Sequence, residues 1–331
     1  MNVDATLNVF RAVGEETRLR IMALLIGGEL TVSEITAILG QSQPRVSRHL
    51  KILADAGLAE RHREGAWMLY RVSGTARETE TLAAVLGAIQ SMSEAGDRIL
   101  ARDQERFDQS RKARAAQAAA YFKKNAAEWN QLRRLHLPDA DIEARILDIV
   151  GADRVDLFVD LGTGAGRMLE IFSDRYRSGV GYDLSHEMLA IARANLDEAK
   201  ITHAQVRHAD LFSAPLDSDS ADVLCLHQVL HYLTEPRAAL QEATRLLKPG
   251  GKLIISDFAP HDLEFLREEH QHRRLGFSDE EVREWCKSCG LSLERSETLS
   301  PKSGEDGKLT VKIWLCRSPA SVRRLGARSA A

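Results

Sequence analysis

The stretch Leu157-Phe-Val-Asp-Leu-Gly-Thr-Gly-Ala-Gly166 decides the fold of the larger part of this chain. A run of strand-forming residues leads directly into three closely spaced glycines, and Arg167-Met-Leu-Glu-Ile171 continues at helical spacing. This pattern predicts a strand, a tight turn and a helix. Glycine at such a turn lets the backbone take positive φ and approach a ligand closely, and the helix that follows begins with unpaired N–H groups.

A second short strand is predicted at Gly179-Val-Gly-Tyr-Asp183, and it ends in an acidic residue. The acid stands about twenty residues after the glycine turn, the spacing at which a carboxylate binds ribose hydroxyls. The glycines run Gly162-x-Gly164-x-Gly166, which is one residue tighter than the dinucleotide-binding pattern. The spacing therefore argues against NAD as the cofactor.

With Asp160 just before these glycines, the region resembles the class I S-adenosylmethionine (SAM) methyltransferases. His208-Ala-Asp-Leu211 is similar to the motif after that family's third strand. The segment Leu246-Leu-Lys-Pro-Gly-Gly-Lys-Leu-Ile-Ile-Ser-Asp257 is similar to its junction between a helix and strand five. The resemblance extends over residues 118 to 317 and implies an α/β Rossmann-like domain, whose seven-stranded sheet ends in an antiparallel hairpin.

The resemblance also implies a cofactor, S-adenosyl-L-methionine or its product S-adenosyl-L-homocysteine. In this family the glycine loop wraps the amino-acid end of SAM, an acid after strand two holds the ribose, and an acid after strand three reaches the adenine amine. Carried over to this chain, the resemblance predicts these cofactor-binding residues: Asp160, Gly162, Thr163, Gly164, Gly166, Asp183, Leu184, Asp210, Leu211 and His227.

Two histidines after the fourth predicted strand of the sheet, His227 and His231, are the candidate catalytic residues. Methyl transfer from a sulfonium is an in-line displacement, so the protein mainly positions donor and acceptor and can remove a proton from the acceptor. A histidine with an ordinary pKa of ~6.5 can act as that general base. The alternative is that His227 lines the SAM pocket and His231 packs locally. Their spacing suggests one helical face.

The first hundred residues carry a different pattern. Apolar residues recur at helical spacing from Leu7 to Ile26, a short helix is predicted from Leu30 to Leu39, and a third begins near Ser42. The third helix has apolar residues on one face and, on the other, side chains able to donate to base edges and phosphates. Leu58 to Val72 then alternates as a β-hairpin does, with a turn at Glu64-Gly65.

The span from Leu7 to Ser93 resembles the ArsR/SmtB family of winged helix-turn-helix repressors, notably at Val46-Ser-Arg-His-Leu-Lys-Ile-Leu53 and at Leu58-Ala-Glu-Arg61. The resemblance implies a homodimer that binds an inverted repeat in double-stranded DNA. It also implies that the apolar stripe of residues 82 to 92 lies in the dimer interface. The predicted DNA-binding residues are Gln43, Arg45, Ser47, Arg48, His49, Lys51, Arg61 and Arg63.

The sequence predicts no metal site. Many relatives carry a Cys-x-Cys pair where this chain has Thr31-Val-Ser33, and hydroxyl groups bind soft metals poorly. Cys286 and Cys289 have the spacing of a redox or metal pair, but no second pair or nearby histidine completes a site. Four cysteines in 331 residues also predict no disulfide framework.

The length of 331 residues favours two domains, since each would be large enough to bury its own core. We expect a DNA-binding and dimerisation domain over residues 1–95, an exposed linker helix over 96–120, a methyltransferase domain over 121–318 and a disordered tail over 319–331. A helix around Tyr121 to Trp129 should cap the SAM pocket. Net charge is −3, and the chain contains neither a membrane-length apolar run nor a signal-type N-terminus, so we expect a cytoplasmic protein without membrane contact.

Two functions fit this sequence. In the first, the protein is a transcriptional regulator whose C-terminal domain senses SAM or S-adenosylhomocysteine as effector. In the second, it is a small-molecule methyltransferase, acting on a quinone-like or metalloid acceptor, whose winged helix regulates its own operon. Methylation of DNA is disfavoured because His227-Gln-Val-Leu230 stands where an Asn/Asp-Pro-Pro-aromatic motif would follow strand four. Intact SAM motifs are compatible with sensing and with catalysis.

Overall fold

A computed structural model describes residues 2–64, 67–73, 79–95, 97–124, 139–270, 272–301 and 309–320. The chain divides into two compact units, Met1–Gln117 and Ala118–Ala331. The expected turn residue Gly65, residues 125–129 of the expected pocket cap and the tail beyond residue 320 lie outside the described residues. Within the described residues, no helix has both the length and the apolar character needed to cross a membrane.

The first unit has the order of elements expected of a winged helix-turn-helix domain. Its three strands form an antiparallel sheet of order β1-β3-β2, in which β2 and β3 make the wing. The elements are α1 (Val3–Val13), α2 (Glu16–Gly27), β1 (Leu30–Thr31), α3 (Val32–Leu39), α4 (Gln43–Asp55), β2 (Ala59–Glu64), β3 (Trp67–Val72), α5 (Glu80–Glu94) and most of α6 (Arg98–Lys124). The predicted N-terminal fold is confirmed.

The helical pattern from Leu7 to Ile26 is divided between α1 and α2. Gly14 follows α1 and donates its backbone N–H to the carbonyl of Phe10, and the Glu15 side chain accepts from the N–H of Arg18 to cap α2. Leu7 and Phe10 are 43% and 53% exposed, so these two residues of the pattern do not belong to the domain's core. The expectation of one continuous helix from Leu7 to Ile26 was wrong. Hydrophobic periodicity does not detect the break at Gly14 and Glu15, where α1 ends and α2 is capped.

The apolar stripe of α5 packs mostly within this chain. Leu82, Val85 and Ile89 are buried in the same core as α2 and α4, whereas Met92 is 44% exposed. The expectation that the whole stripe lies in a dimer interface is therefore wrong for its three buried residues. Among the large apolar side chains described in this unit, Val3 and Phe10 of α1 are the most exposed, at 75% and 53%.

The expected exposed linker helix is wrong for the first half of α6. Asp103 and Phe107 are each 1% exposed. Arg20 of α2 donates from Nε and one Nη to the two carboxylate oxygens of Asp103, at 2.6 and 2.9 Å, and the pair is buried. The Phe107 ring packs on Gly27, where an added Cβ would lie 3.1 Å from Cε1.

Two further contacts tie α6 to α3. Arg106 donates to the carbonyl oxygen of Ile38 at 2.8 Å, and Ser110 donates to Glu34 at 3.3 Å. Glu34 also forms a capping box with Thr31 at the start of α3. The helix after the winged domain is thus packed against α2 and α3, two of the three helices that precede the recognition helix.

The second unit is a seven-stranded sheet of order β6-β5-β4-β7-β8-β10-β9, parallel except that β10 runs antiparallel to both of its neighbours. Its strands are β4 (Val155–Leu161), β5 (Tyr176–Asp183), β6 (Ala204–His208), β7 (Ala221–His227), β8 (Leu247–Phe258), β9 (Ser292–Leu299) and β10 (Val311–Arg317). Its helices include α7 (Asp139–Val150), α8 (Arg167–Ile171), α9 (His186–Glu198), α10 (Pro236–Leu246), α11 (Phe265–Glu269) and α12 (Asp279–Ser288). The predicted Rossmann-like sheet and its antiparallel hairpin are confirmed.

The parallel strands explain where the predicted motifs meet. Strands β6, β5, β4, β7 and β8 run in one direction, so the loops that follow them leave from the same edge of the sheet. The strands alternate side chains between two buried faces, each covered by its own apolar cluster. Ligands of open α/β sheets bind at this carboxyl edge, which makes it the place to look for a site.

Candidate functional site

The glycine loop after β4 has the backbone conformation that the sequence predicts. Gly162, Gly164 and Gly166 have φ of +77°, +51° and +80°, values that side-chain-bearing residues rarely adopt. The N–H groups of Gly162 and Thr163 both donate to the carbonyl of Tyr182, which fixes the loop to the end of β5. An added Cβ at Gly162 would lie 2.5 Å from a methyl of Val229, so the loop after β7 packs directly on it.

Asp160, at the end of β4, is a buried carboxylate that is only half paired. One oxygen accepts from the Thr163 hydroxyl at 2.6 Å, while Oδ1 has no hydrogen-bond partner among the described residues. The side chain is 1% exposed, and this burial raises the pKa of Asp160 to about 7. Nearby Asp183 raises the pKa further and the bond from Thr163 lowers it. Buried polar atoms normally have partners, so an unpaired carboxylate oxygen suits a cationic ligand group.

Asp183 ends β5 and organises the next loop. Its two oxygens accept from the backbone N–H groups of Gly164 and Ser185, each at 2.8 Å. The carboxylate thus links the glycine loop to the start of α9, where the Ser185 side chain caps the helix. The neighbouring Leu184 is 59% exposed, an apolar side chain left on the surface of this edge.

The loop after β6 brings Asp210 to the same edge of the sheet. Asp210 is exposed and accepts from the N–H of Phe212 at 3.0 Å. Leu211 is 7% exposed and its side chain belongs to the core, so the apolar surface at this point comes from Phe212, which is 37% exposed. Phe212 was not predicted from the sequence, although an aromatic residue after an acid at a strand end is a usable signal.

The loop after β7 contains a residue other than glycine with a strained backbone conformation. His227 ends the strand half-buried, and Gln228 has φ of +53°, an uncommon value for a residue other than glycine. The Gln228 N–H donates to the carbonyl of Ser256 at 2.7 Å, which holds the strained turn against β8. Strain of this kind concentrates at functional sites. His231 lies in a separate short turn (Leu230–Tyr232), so the expected single helical face for the two histidines is wrong.

His231 forms a buried pair with Asp257, the penultimate residue of β8. The His231 Nδ1 lies 2.8 Å from Asp257 Oδ1, and the two side chains are 3% and 0% exposed. Asp257 also accepts from the backbone N–H groups of His231 at 3.3 Å and Phe258 at 2.8 Å, so the carboxylate is fixed. Asp257 lies in a motif that resembles the methyltransferases, but no role was predicted for it from the sequence.

Other rings surround His231. Its ring centroid lies 4.1 Å from that of Tyr232, 4.2 Å from that of His272 and 5.1 Å from that of Phe258. His272 is 3% exposed, and burial together with His231 lowers the pKa of His272 to about 3. Burial also lowers the pKa of His261. These histidines are therefore neutral near pH 7.

The proposed DNA-binding surface lies on α4 and the wing. Val46, Leu50 and Leu53 are fully buried, as the helical pattern predicts. The opposite face and the wing strand β2 present exposed side chains, namely Gln43, Arg45, Arg48, Lys51, Arg61 and Arg63, while Ser47 is half-buried.

His49 departs from this arrangement, and its expected position on the outer face was wrong. The side chain is 13% exposed and its Nδ1 lies 3.6 Å from a carboxylate oxygen of Glu15. Burial lowers the pKa of His49, although Glu15 raises it. Helical periodicity assigned His49 outward because it lies beside Arg48, but α2 begins close enough to cover it.

Within the described residues, no three His, Cys, Asp or Glu side chains are grouped so that they could hold a metal ion. The four cysteines are free. Cys286 and Cys316 are buried with their sulfurs 3.1 Å apart, and Cys225 is buried inside β7, where burial raises the pKa of its thiol.

Comparison with known proteins divides the chain in the same way. Residues 15–61 match the family model of bacterial regulatory proteins of the arsR family, and residues 159–255 match the model of a methyltransferase domain. The first match includes α4 and the start of the wing, and the second runs from the glycine loop to β8.

Similar proteins cover one half of the chain or the other. The arsenical resistance operon repressor of Escherichia coli is 43% identical over 68 residues, covering 20% of this chain and 58% of the repressor. A malonyl-[acyl-carrier protein] O-methyltransferase of Hahella chejuensis is 32% identical over 151 residues, covering 43% of this chain and 52% of the enzyme. The chain thus spans little more than half the length of either relative. The solved structure of the YcgJ protein from Bacillus subtilis matches 54% of this chain and 98% of its own, at 17% identity and a TM-score of 0.46.

Proposed function

We propose that this chain, which joins an ArsR-type DNA-binding domain to a methyltransferase domain, is a transcriptional regulator that binds SAM and transfers its methyl group to a small molecule. In this proposal SAM, or the S-adenosylhomocysteine left after transfer, is also the effector of DNA binding. The protein acts in the cytoplasm as a homodimer on an inverted repeat. We propose residues 1–95 as the DNA-binding and dimerisation domain, 96–120 as the linker helix, 121–318 as the methyltransferase domain and 319–331 as the tail.

The observation that carries the proposal is Asp160. Its unpaired Oδ1, buried beside three glycines with positive φ, fits the ammonium group at the amino-acid end of SAM. The close packing of Val229 on Gly162 leaves no room for a side chain on the loop at that point. The residues present therefore fit this cofactor.

The other predicted residues have complementary roles. Asp183 would accept from the ribose hydroxyls while it holds the Gly164 N–H, and Asp210 would accept from the adenine amine. Exposed Leu184 and Phe212 offer apolar contact to the adenine ring. When bound, SAM supplies an activated methyl group on a positively charged sulfur.

A buried histidine–carboxylate pair favours catalysis in addition to sensing. A domain that only binds SAM has no use for His231 held by Asp257 at the carboxyl edge, because neither residue is needed to recognise the cofactor. A methyltransferase can use such a pair to accept a proton. His227 remains the candidate for a residue that lines the cofactor.

The metalloid alternative receives no support from the cysteines. Thiolates are the ligands that soft elements prefer. Cys225 lies inside a buried strand, and Cys286 and Cys316 belong to α12 and β10, on the antiparallel side of the sheet. We therefore favour an organic acceptor.

Incubation of the protein with methyl-labelled SAM and a small-molecule extract tests the proposal, with product identification by mass spectrometry. Calorimetric titration with SAM supplies the parallel measurement of binding. We expect micromolar binding and at least one labelled small molecule. Binding without any labelled product would leave the sensor alone, and absence of binding would reject both functions.

A further inference from the structure

His231 and its neighbours form a site of their own beside the glycine loop. The turn that contains His231 follows Val229, which packs on Gly162, so the pair of His231 and Asp257 stands next to the predicted methyl donor. Asp257 accepts three hydrogen bonds and is fully buried, which leaves it no freedom to move. With Nδ1 directed at this carboxylate, neutral His231 carries its proton on Nδ1, and its Nε2 is the proton acceptor.

A second observation indicates a polar ligand. Three buried ring nitrogens near His231 have no hydrogen-bond partner among the described residues: Nδ1 of His272, Nε2 of His261 and Nε2 of His270. The ring of His272 lies 4.2 Å from that of His231, and burial, together with the nearby His231, lowers the pKa of both His261 and His272. Buried polar atoms in native proteins are almost always satisfied by protein, water or ligand. Neutral imidazoles suit an uncharged hydroxyl.

We propose that this cluster is the methyl-acceptor site and that it takes a phenolic hydroxyl, with His231 as the catalytic base and Asp257 as its positioning residue. The inference rests on the proposed function, since it needs SAM on the glycine loop. Tyr232, 44% exposed beside His231, presents a ring against which an aromatic acceptor can pack.

Acid strength selects phenols among hydroxyl compounds. A phenolic hydroxyl has a pKa of ~10, and an imidazole of ~6.5 is close enough to accept its proton as the new bond forms. An aliphatic hydroxyl is a far weaker acid and would leave most of the barrier in place. A thiol of pKa ~8.5 is already a few per cent thiolate near pH 7, and this thiolate is strongly nucleophilic, so a thiol depends much less on a base than a phenol does. An amine with a free lone pair needs no such base.

The step balances without a further reactant. The phenolic oxygen attacks the methyl carbon, the C–S bond breaks, and its electron pair goes to sulfur, which becomes the neutral thioether of S-adenosylhomocysteine. The phenolic proton moves to Nε2 of His231, and the imidazolium is stabilised by the Asp257 carboxylate until it loses the proton to water. One O–CH₃ bond forms for each S–CH₃ bond broken.

The test uses the full-length protein, methyl-labelled SAM and catechol as the phenolic probe, with 2-mercaptoethanol as the probe that depends less on a base. His231→Gln should lower the rate constant for catechol at saturation by ~10²- to 10⁴-fold, the usual contribution of a general base. Asp257→Asn should also lower it, because the amide can turn its donor toward His231 and favour the wrong tautomer. SAM affinity should stay within about twofold in both variants.

The pH profile separates a base from a structural role. The wild-type rate should rise with pH through a single deprotonation, and this rise should vanish in His231→Gln. The groups that face His231 are Asp257, His261, His272, Tyr232 and the backbone of Arg273; burial lowers the pKa of the two histidines and raises the pKa of Tyr232. The matched control is His203→Gln. His203 directly precedes β6, at the edge of the sheet away from His231, and its Nε2 lies 2.9 Å from the carbonyl oxygen of Ser173, so this change should leave the rate unchanged.

Each outcome decides one part. Equal rates in wild type and His231→Gln would overturn the base. Methylation of 2-mercaptoethanol but not catechol, or of neither while SAM binds, would overturn the phenolic acceptor and leave the proposed function standing. Failure of the wild type to bind SAM would reject the proposed function itself. Thermal unfolding of each variant shows whether lost activity reflects lost fold.

Discussion

The two units bury charged groups in opposite ways. In the first, Arg20 and Asp103 meet in a two-point ion pair with both side chains almost fully buried, and both oxygens of the carboxylate are used. In the second, Asp160 is equally buried but has one oxygen without a partner among the described residues, and ring nitrogens around His231 are similarly unpaired. A complete pair stabilises the fold, whereas an incomplete one carries a cost that a ligand can remove.

This difference assigns roles to residues of the same chemical type. Asp103 holds α6 on the winged domain and has no atom left for a ligand. Asp160 has a pKa of about 7 because its buried surroundings do not compensate its charge, so the carboxyl gains and loses its proton near neutral pH. Removing each carboxylate should therefore affect different properties of the protein.

The largest effect is expected from Asp103→Ala, which removes the buried partner of Arg20 and leaves the exposed Glu16, 3.6 Å away, as its neighbouring carboxylate. Breaking a buried ion pair from one side costs about 3–5 kcal/mol, so the first unit should unfold at much lower denaturant concentration. Asp108→Ala, an exposed acid one turn and a half along α6, is the matched control and should change stability by less than ~0.5 kcal/mol. Urea unfolding followed by circular dichroism measures both.

If Asp103→Ala and Asp108→Ala lowered the free energy of unfolding by similar amounts, the buried ion pair would not stabilise the first unit more than an exposed acid does. A loss of below ~1 kcal/mol for Asp103→Ala would mean that Arg20 reaches water once its partner is gone. That result would support the exposed linker helix that was predicted from the sequence for residues 96–120.

Asp160→Asn should act in the opposite direction on stability. Because the folded pKa of Asp160 is about 7 and the unfolded value is ~3.9, the unfolded carboxyl ionises first as pH rises. The ligand-free protein therefore loses stability between about pH 4 and 7, and this loss should be absent in Asp160→Asn. Thermal melting from pH 4 to 8 checks the sign; a stability loss of equal size in the variant would contradict it.

The same variant should bind SAM more weakly. Loss of one hydrogen bond between charged groups costs about 1.5–3 kcal/mol, or roughly 10- to 150-fold in affinity. In the wild type, affinity should fall as pH drops below about 7, because the cation must displace a proton from Asp160. Calorimetry at pH 6 and pH 8 measures this, and a pH-independent affinity would remove Asp160 from the binding site.

The sequence predicted the elements that local pattern decides. The glycine spacing predicted the tight turn in which three glycines take positive φ, and the resemblance to the methyltransferases predicted a seven-stranded sheet with an antiparallel last hairpin. It did not predict contacts between distant residues. Arg20 and Asp103 are 83 residues apart, and a charged, alanine-rich helix reads as solvent-exposed until its partner is known.

In the candidate site, too, the sequence predicted residues that a local pattern identifies and missed those whose role depends on a distant residue. Asp160, Asp183 and Asp210 could be found because each follows a strand at the carboxyl edge. Asp257 follows the same rule at the end of β8 but was missed, since its role depends on His231, which comes from a different loop. No pattern in the sequence points to His272, and the structure buries it within the cluster of rings around His231.

The proposed coupling of the two units should have an intermediate effect. α6 is packed on α2 and α3 through Asp103, Phe107 and Arg106, and it runs on to Lys124, past the boundary at Gln117. Operator affinity should change by ~5- to 150-fold between ligand-free protein and protein saturated with SAM or S-adenosylhomocysteine. An inverted repeat selected by the protein from random DNA is the probe.

Reciprocity supplies the control, because DNA must change the affinity for the ligand by the same factor. Phe107→Leu, which loosens the contact of α6 with Gly27, should reduce the factor while SAM still binds. Equal operator affinities in all three ligand states would reject the sensor and leave a methyltransferase joined to an independent DNA-binding domain.

The smallest effect, on operator affinity, is expected from a change at His49. It tests whether the exposed Arg48 contributes to DNA binding while the buried His49 beside it does not. Arg48 is exposed and available to DNA, so Arg48→Gln should weaken operator binding by about 1–3 kcal/mol. His49→Gln should change it by less than ~0.5 kcal/mol, because the ring is turned toward Glu15 and its lowered pKa keeps it uncharged. The salt dependence of binding should become shallower for Arg48→Gln alone, since only that change removes a positive charge from the interface. Fluorescence anisotropy at several salt concentrations compares the two, and an equal loss would mean that DNA draws His49 out of its contact with α2.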